Sequence, residues 1–216
     1  MISPDLRRGP TAAAIRRQRL IVVLRRITPA QRLLQLVDEL ADAGARIFEV
    51  TMDGDSAGDD LQATAEHLRR RGDGDFLVGA GTVRTNKQLR AALDASAAFA
   101  VAPTLHPSLI GDALDAGLPF IPGAATPSEA ELAWSSGATF VKLFPASSLG
   151  PPFIRELRGP MPEIEAIATG GITFENATSF LEAGAVAIGM GSAIVEGDAT
   201  RRQRFIASLA AARIPR

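Results

Sequence analysis

Eight short apolar runs recur along the chain at intervals of about 20 to 30 residues, and a stretch with helical spacing follows each one. The runs are Leu20–Leu24, Arg46–Thr51, Phe76–Thr82, Phe99–Pro103, Pro119–Ala124, Phe140–Ala146, Glu165–Gly171 and Ala185–Ser192. Between them, residues 29–43 place Leu33, Leu34, Leu36, Val37 and Leu40 on one helical stripe, and residues 86–95 place Leu89 and Leu93 four apart. Thr28-Pro29, His106-Pro107 and Thr126-Pro127-Ser128-Glu129 are helix-start signals. Ala43-Gly44, Ala116-Gly117, Ser136-Gly137 and Ala183-Gly184 repeat one helix-stop device. Strands buried on both faces and joined by helices run parallel. Eight such units in 216 residues predict a compact (β/α)8 TIM barrel as one domain over 1–216. A short N-terminal helix over residues 9–19 precedes it, and a last helix covers 203–212. An open doubly wound sheet is the alternative. It is disfavoured because Leu24-Arg25-Arg26-Ile27-Thr28 follows the first strand, where a Gly-x-Gly-x-x-Gly turn would stand.

Composition removes several classes of function. The chain has no cysteine, so disulfide scaffolds, thiolate metal sites and cysteine nucleophiles are excluded together. His67 and His106 lack ligand spacing and read as surface or loop residues, so no metal and no cofactor is expected. With 23 basic and 24 acidic residues and a formal net charge of −1, nothing favours nucleic acid. The run Arg69-Arg70-Arg71 closes a helical pattern and reads as a solvated helix end. No apolar run approaches the ~20 residues of a membrane span, and Met1–Pro10 carries no secretory pattern. The expectation is a cytoplasmic protein acting on a small molecule.

In such a barrel the chemistry gathers where the strands end at their C-termini. Lys142 stands inside the apolar strand Phe140-Val141-Lys142-Leu143-Phe144. Only Lys87 and Lys142 among the basic residues are lysines. Arginine neither loses its proton nor forms an imine, whereas a buried lysine with a lowered pKa attacks a carbonyl as the free amine. Glu49 is the second charge in an apolar run, Ile47-Phe48-Glu49-Val50-Thr51. It lies on strand 2 and Lys142 on strand 6, so both can converge inside a barrel, as amine and proton shuttle or as a structural ion pair without chemistry. Thr169-Gly170-Gly171-Ile172 and Gly189-Met190-Gly191-Ser192, after strands 7 and 8, read as backbone phosphate loops or as ordinary turns.

Five motifs in order, Glu49-Val50-Thr51, Val78-Gly79-Ala80-Gly81-Thr82-Val83, Pro122-Gly123 with Thr126-Pro127-Ser128-Glu129, Lys142-Leu143-Phe144-Pro145-Ala146 and Thr169-Gly170-Gly171-Ile172, resemble the KDPG/KHG aldolase family from about Leu20 to Ile194. The resemblance implies a metal-independent class I aldolase with a (β/α)8 barrel and a homotrimer. It would cleave a 2-keto-3-deoxy-6-phospho sugar acid to pyruvate and glyceraldehyde 3-phosphate, and 4-hydroxy-2-oxoglutarate to pyruvate and glyoxylate. It assigns Lys142 the Schiff base and Glu49 the acid–base role. Thr82, Pro103 and Phe144 fall at the pyruvate pocket, and Gly170, Gly171, Gly191 and Ser192 at the phosphate. The pattern Glu-Val-Thr-x-Arg of the best-known phosphogluconate enzymes ends here in Asp53, an acid expected to repel an anionic substrate if it faces the mouth. Arg25, together with Leu149-Gly150-Pro151-Pro152-Phe153-Ile154, is similar to the branch acting on the phosphogalactonate analogue, and Arg25 is the expected substrate anchor. As a bare sequence feature it also reads as a solvated turn residue. The alternative functions are a phosphosugar isomerase or epimerase, a thiamine-phosphate-synthase-like transferase, and a catalytically silent barrel.

Overall fold

The computed structural model describes residues 6–211. The ends of the expected 1–216 domain, and the last residue of the helix expected over 203–212, lie outside them. Nine strands form one sheet: β1 (Leu20–Leu24), β2 (Ile47–Thr51), β3 (Leu77–Gly81), β4 (Ala100–Val101), β5 (Phe120–Ile121), β6 (Gly123–Ala124), β7 (Val141–Leu143), β8 (Ala166–Thr169) and β9 (Ala187–Met190). Every strand pair is parallel, and the order is β5-β4-β3-β2-β1-β9-β8-β7-β6. The ninth strand comes from a split. Pro122 has no N–H to give to a ladder, so the fifth apolar run becomes β5, paired with β4, and β6, paired with β7. The two ends of the sheet are therefore adjacent in the chain, and the barrel closes through that run.

The helices are α1 (Pro10–Gln18), α2 (Ala30–Asp42), α3 (Ala57–Arg71), α4 (Asn86–Asp94), α5 (Pro107–Asp115), α6 (Pro127–Ser135), α7 (Ala146–Arg158), α8 (Ala177–Glu182), α9 (Ser192–Val195) and α10 (Ala199–Ala211). α7 is broken at Gly150, whose φ of 73° is not helical. The expected stop device is present: Gly44, Gly117, Gly137 and Gly184 all take positive φ, between 69° and 108°. A glycine there reverses the chain toward the next strand without the strain a Cβ would add. At the start of α6, Thr126 Oγ1 accepts from the Glu129 N–H at 3.2 Å while Glu129 Oε2 accepts from the Thr126 N–H at 3.0 Å. This reciprocal box satisfies donors the helix itself leaves open.

Period-two alternation sorts the strand residues between two apolar layers. One layer lies between sheet and helices, with Val22, Leu24, Phe48 and Val50 among its members. The other fills the barrel interior with Ile21, Ile47, Phe99, Val101, Ile121, Phe140 and Ile167, and α1 adds Ala12 and Ile15 to it. α1 is the floor of the barrel. Arg16 pins it, with Nε donating to Glu165 Oε1 at 2.7 Å. With the N-terminal end stoppered, a ligand enters where the strands end at their C-termini.

Candidate active site

At that end lies a cavity of about 950 Å³. Lys142, Arg25, Thr82, Pro103, Phe144, Gly170, Gly171, Gly191 and Ser192 all line it. Glu49 lies deeper, only 2 % exposed, on the strand face it shares with the interior residue Ile47. Gly81 makes room for it, because a Cβ there would sit 2.6 Å from Glu49 Cγ and 2.7 Å from Cδ.

Lys142 is 4 % exposed. Burial pushes its pKa below the usual lysine range, Glu49 opposes that shift, and Arg25 adds to it. No hydrogen bond or ion pair joins Lys142 to Glu49, and Glu49 Oε1 is buried without a hydrogen-bond partner. The pair is close enough to be felt electrostatically, yet it is not the locked ion pair that a purely structural role would favour. The Phe144 ring lies beside the amine, 5.2 Å from Nζ to its centroid. What this arrangement offers is an amine whose neutral form burial favours, facing a cavity, with an uncommitted carboxylate below it.

On the far rim, Gly170 and Gly171 take φ of 93° and 71°. A side chain at Gly170 would run into Phe144, and one at Gly171 into Ser147. These glycines keep backbone close to the cavity, which an ordinary turn glycine need not do.

Asp53 adds a partner to an expectation. It lines the cavity, as the repulsion argument required, but its charge is already taken. Arg25 Nη1 donates to Asp53 Oδ2 at 2.5 Å, and Arg26 Nη2 lies 3.3 Å from the same oxygen. Burial alone would raise the Asp53 carboxyl; the neighbouring Thr51 side chain and the two guanidiniums outweigh it and hold the group below the usual carboxylate range. Two cations and one anion leave the cluster net positive. Arg25, though half-exposed, is tied to Asp53 and to Thr82.

Other lining residues lie outside the sequence motifs, namely Arg26, Arg84, Thr104, Thr173 and Glu196. Arg84 carries a usable signal, since it lies two residues past Thr82 at the end of the same strand. His67 is held on the surface, with Nε2 2.9 Å from Asp38 Oδ1. Arg71 is more than a solvated helix end, because it bonds Asp38, Asp42 and Asp73. Among the described residues no group of three or more His, Asp or Glu side chains is placed to hold a metal ion, and no helix is long and apolar enough to cross a membrane.

The family model "KDPG and KHG aldolase" matches residues 12–208. The chain belongs to this aldolase family. It is 33 % identical over 174 residues to the 2-dehydro-3-deoxy-6-phosphogalactonate aldolase of Escherichia coli (strain K12), covering 80 % of this chain and 82 % of that one. It is 35 % identical over 153 residues to a 2-dehydro-3-deoxy-phosphogluconate aldolase of Haemophilus influenzae, covering 70 % of each. A KDPG aldolase from Legionella pneumophila, solved with pyruvate captured as a covalent carbinolamine intermediate, superposes with a TM-score of 0.80 at 27 % identity, over 94 % of this chain and 98 % of that one. The protein is thus an aldolase, a lyase, and not an isomerase, a transferase or a silent barrel.

Proposed function

We propose that this aldolase cleaves a 2-keto-3-deoxy-6-phospho sugar acid through an imine on Lys142. The free amine attacks the C2 carbonyl and water leaves as the imine forms. Glu49 takes the proton of the C4 hydroxyl, the C3–C4 bond breaks, glyceraldehyde 3-phosphate departs and the bonding electrons move into the enamine. Glu49 returns a proton to C3, and water then releases pyruvate and the amine. One observation carries this assignment: Lys142 is buried and driven toward its neutral form at the wall of the cavity, with an unpartnered carboxylate close by.

Thr82, Pro103 and Phe144 would enclose the pyruvate unit, and Arg25 would meet its carboxylate. The glycine loops at Gly170, Gly171, Gly191 and Ser192 would present backbone N–H groups to the phosphate. The net positive Arg25–Arg26–Asp53 cluster supports an anionic substrate, and resemblance to the phosphogalactonate relative supports the galactonate epimer over the gluconate. The shorter 4-hydroxy-2-oxoglutarate is a secondary substrate, since it leaves the glycine loops unused. With the family we also assign a cytoplasmic homotrimer, which light scattering of the purified protein tests. Cleavage of the three acids, read as pyruvate release, tests the substrate order. The expected ranking of kcat/KM puts both phosphorylated acids first; a maximum on 4-hydroxy-2-oxoglutarate would overturn the phosphate assignment.

A further inference from the structure

The Arg25 side chain is 51 % exposed, and an arginine that open ordinarily spreads over many rotamers. Here it is held at two points. Nη1 donates to Asp53 Oδ2 at 2.5 Å, and Nη2 donates to Thr82 Oγ1 at 3.1 Å. The two acceptors follow different strands, Asp53 after β2 and Thr82 after β3, so the guanidinium is braced across the mouth of the barrel. Arg26 closes the arrangement from behind, with Nη2 donating to the Asp53 carbonyl oxygen at 3.2 Å.

The backbone is committed to this geometry as well. Arg26 and Thr82 have φ of 50° and 55°, two of the four non-glycine residues with positive φ among those described. For a β-branched residue such as Thr82 that conformation is an outlier. Strain of this kind persists only where surrounding contacts over-determine it, and it collects at functional sites. Two such residues within one four-residue cluster, at the rim of the cavity that holds Lys142, mark it as built rather than incidental. The Asp53 side chain is 18 % exposed, so its ion pair is better shielded than a fully solvated surface bridge.

We propose that Asp53 is a positioning residue: with Thr82 it fixes the Arg25 guanidinium over the cavity, so that the N–H donors left free receive the carboxylate of the bound 2-keto acid. A guanidinium carries five N–H donors, and the brace uses two of them. Asp53 touches no reacting atom. It acts through Arg25, and its negative charge favours the anionic substrate by holding a cation in place, the reverse of direct repulsion. The inference deepens the aldolase assignment above and rests on it.

The test measures the pyruvate concentration that half-saturates borohydride trapping, alongside the same quantity for methyl pyruvate, which presents the ketone without a carboxylate charge. In Asp53→Ala the half-saturating pyruvate concentration should rise by on the order of tenfold, the scale of one hydrogen bond to a charged group, while methyl pyruvate shifts by less than about twofold. Asp53→Glu should recover part of the loss. Arg25→Met with Asp53→Ala should be no worse than Arg25→Met alone, as residues acting through one contact are not additive. If Asp53→Ala does not fold, Asp53→Asn carries the same comparison with the side-chain shape kept. Tighter pyruvate binding in these variants, or an unchanged ratio between the two ketones, would overturn the positioning role. Failure of the wild type to trap any pyruvate would instead overturn the aldolase mechanism, so the two failures are distinct.

Discussion

Gly81→Ala places a single methyl group against Glu49 and leaves the other residues assigned to the site unchanged. The new Cβ would lie 2.6 Å from Glu49 Cγ and 2.7 Å from Cδ, whereas carbon atoms rest about 3.5 to 4.0 Å apart. The carboxylate must therefore retreat by about 1 Å, and at 2 % exposure it has little room except toward the cavity above. A misplacement of about 1 Å is sufficient to cost on the order of 10²-fold in rate. The step that suffers is proton transfer at C3 of the enamine, which is measured without any aldehyde as exchange of the pyruvate methyl protons for deuterium by NMR. Exchange should slow about 10²-fold, while borohydride still traps pyruvate on Lys142. Gly58 and Gly111 lie within α3 and α5, where an added methyl group would meet nothing within 4 Å. Alanine at either position leaves exchange untouched and adds about 0.5 to 1 kcal/mol of helix stability. Wild-type exchange in Gly81→Ala would refute the placement of Glu49 as the proton carrier.

Two further outcomes follow from the fold and its charges. Ile15→Ala empties part of the barrel floor, where Ile15 is fully buried, and should lower unfolding stability in urea by about 2 to 4 kcal/mol with kcat unchanged. The folded pKa of Lys142 lies below its unfolded value, so between the two the unfolded chain binds the extra proton, and stability rises with pH until the ordinary lysine value is reached. Lys142→Met should remove that alkaline rise, measured as unfolding midpoints from neutral pH upward; an identical slope in both proteins would mean that the amine is not desolvated.

The barrel is legible in the sequence because its signals are local. Apolar runs, Pro at helix starts and Ala-Gly stops lie within a few residues of one another, and the structure turns each into the expected element. The split of the fifth strand is legible only in hindsight, since Pro122 reads as part of an apolar run until the ladder asks it for an N–H. Lys142 and Glu49 stand out because a charge in a buried strand is costly and needs a reason. The pairing of Asp53 is not legible for a physical cause: its partner Arg25 is 28 residues away in the chain, and the turn beside it has Arg26 at a positive φ. Such a long-range pairing leaves no periodic trace. Arg84 is marked only by its place two residues past Thr82, and Glu196, which follows the short helix α9, looks like any solvated residue until the cavity beside it is known.

Borohydride reduction in the presence of pyruvate, followed by peptide mass mapping, tests the central claim most directly, because the chain offers only two lysines, Lys87 and Lys142. One reduced pyruvate adduct should appear on the peptide containing Lys142 and none on the peptide containing Lys87. In Lys142→Arg the adduct should vanish and cleavage should fall by about 10³-fold or more, a loss above about 4 kcal/mol in transition-state stabilisation. An adduct on Lys87, or cleavage by Lys142→Arg at the wild-type rate, would contradict imine catalysis at Lys142.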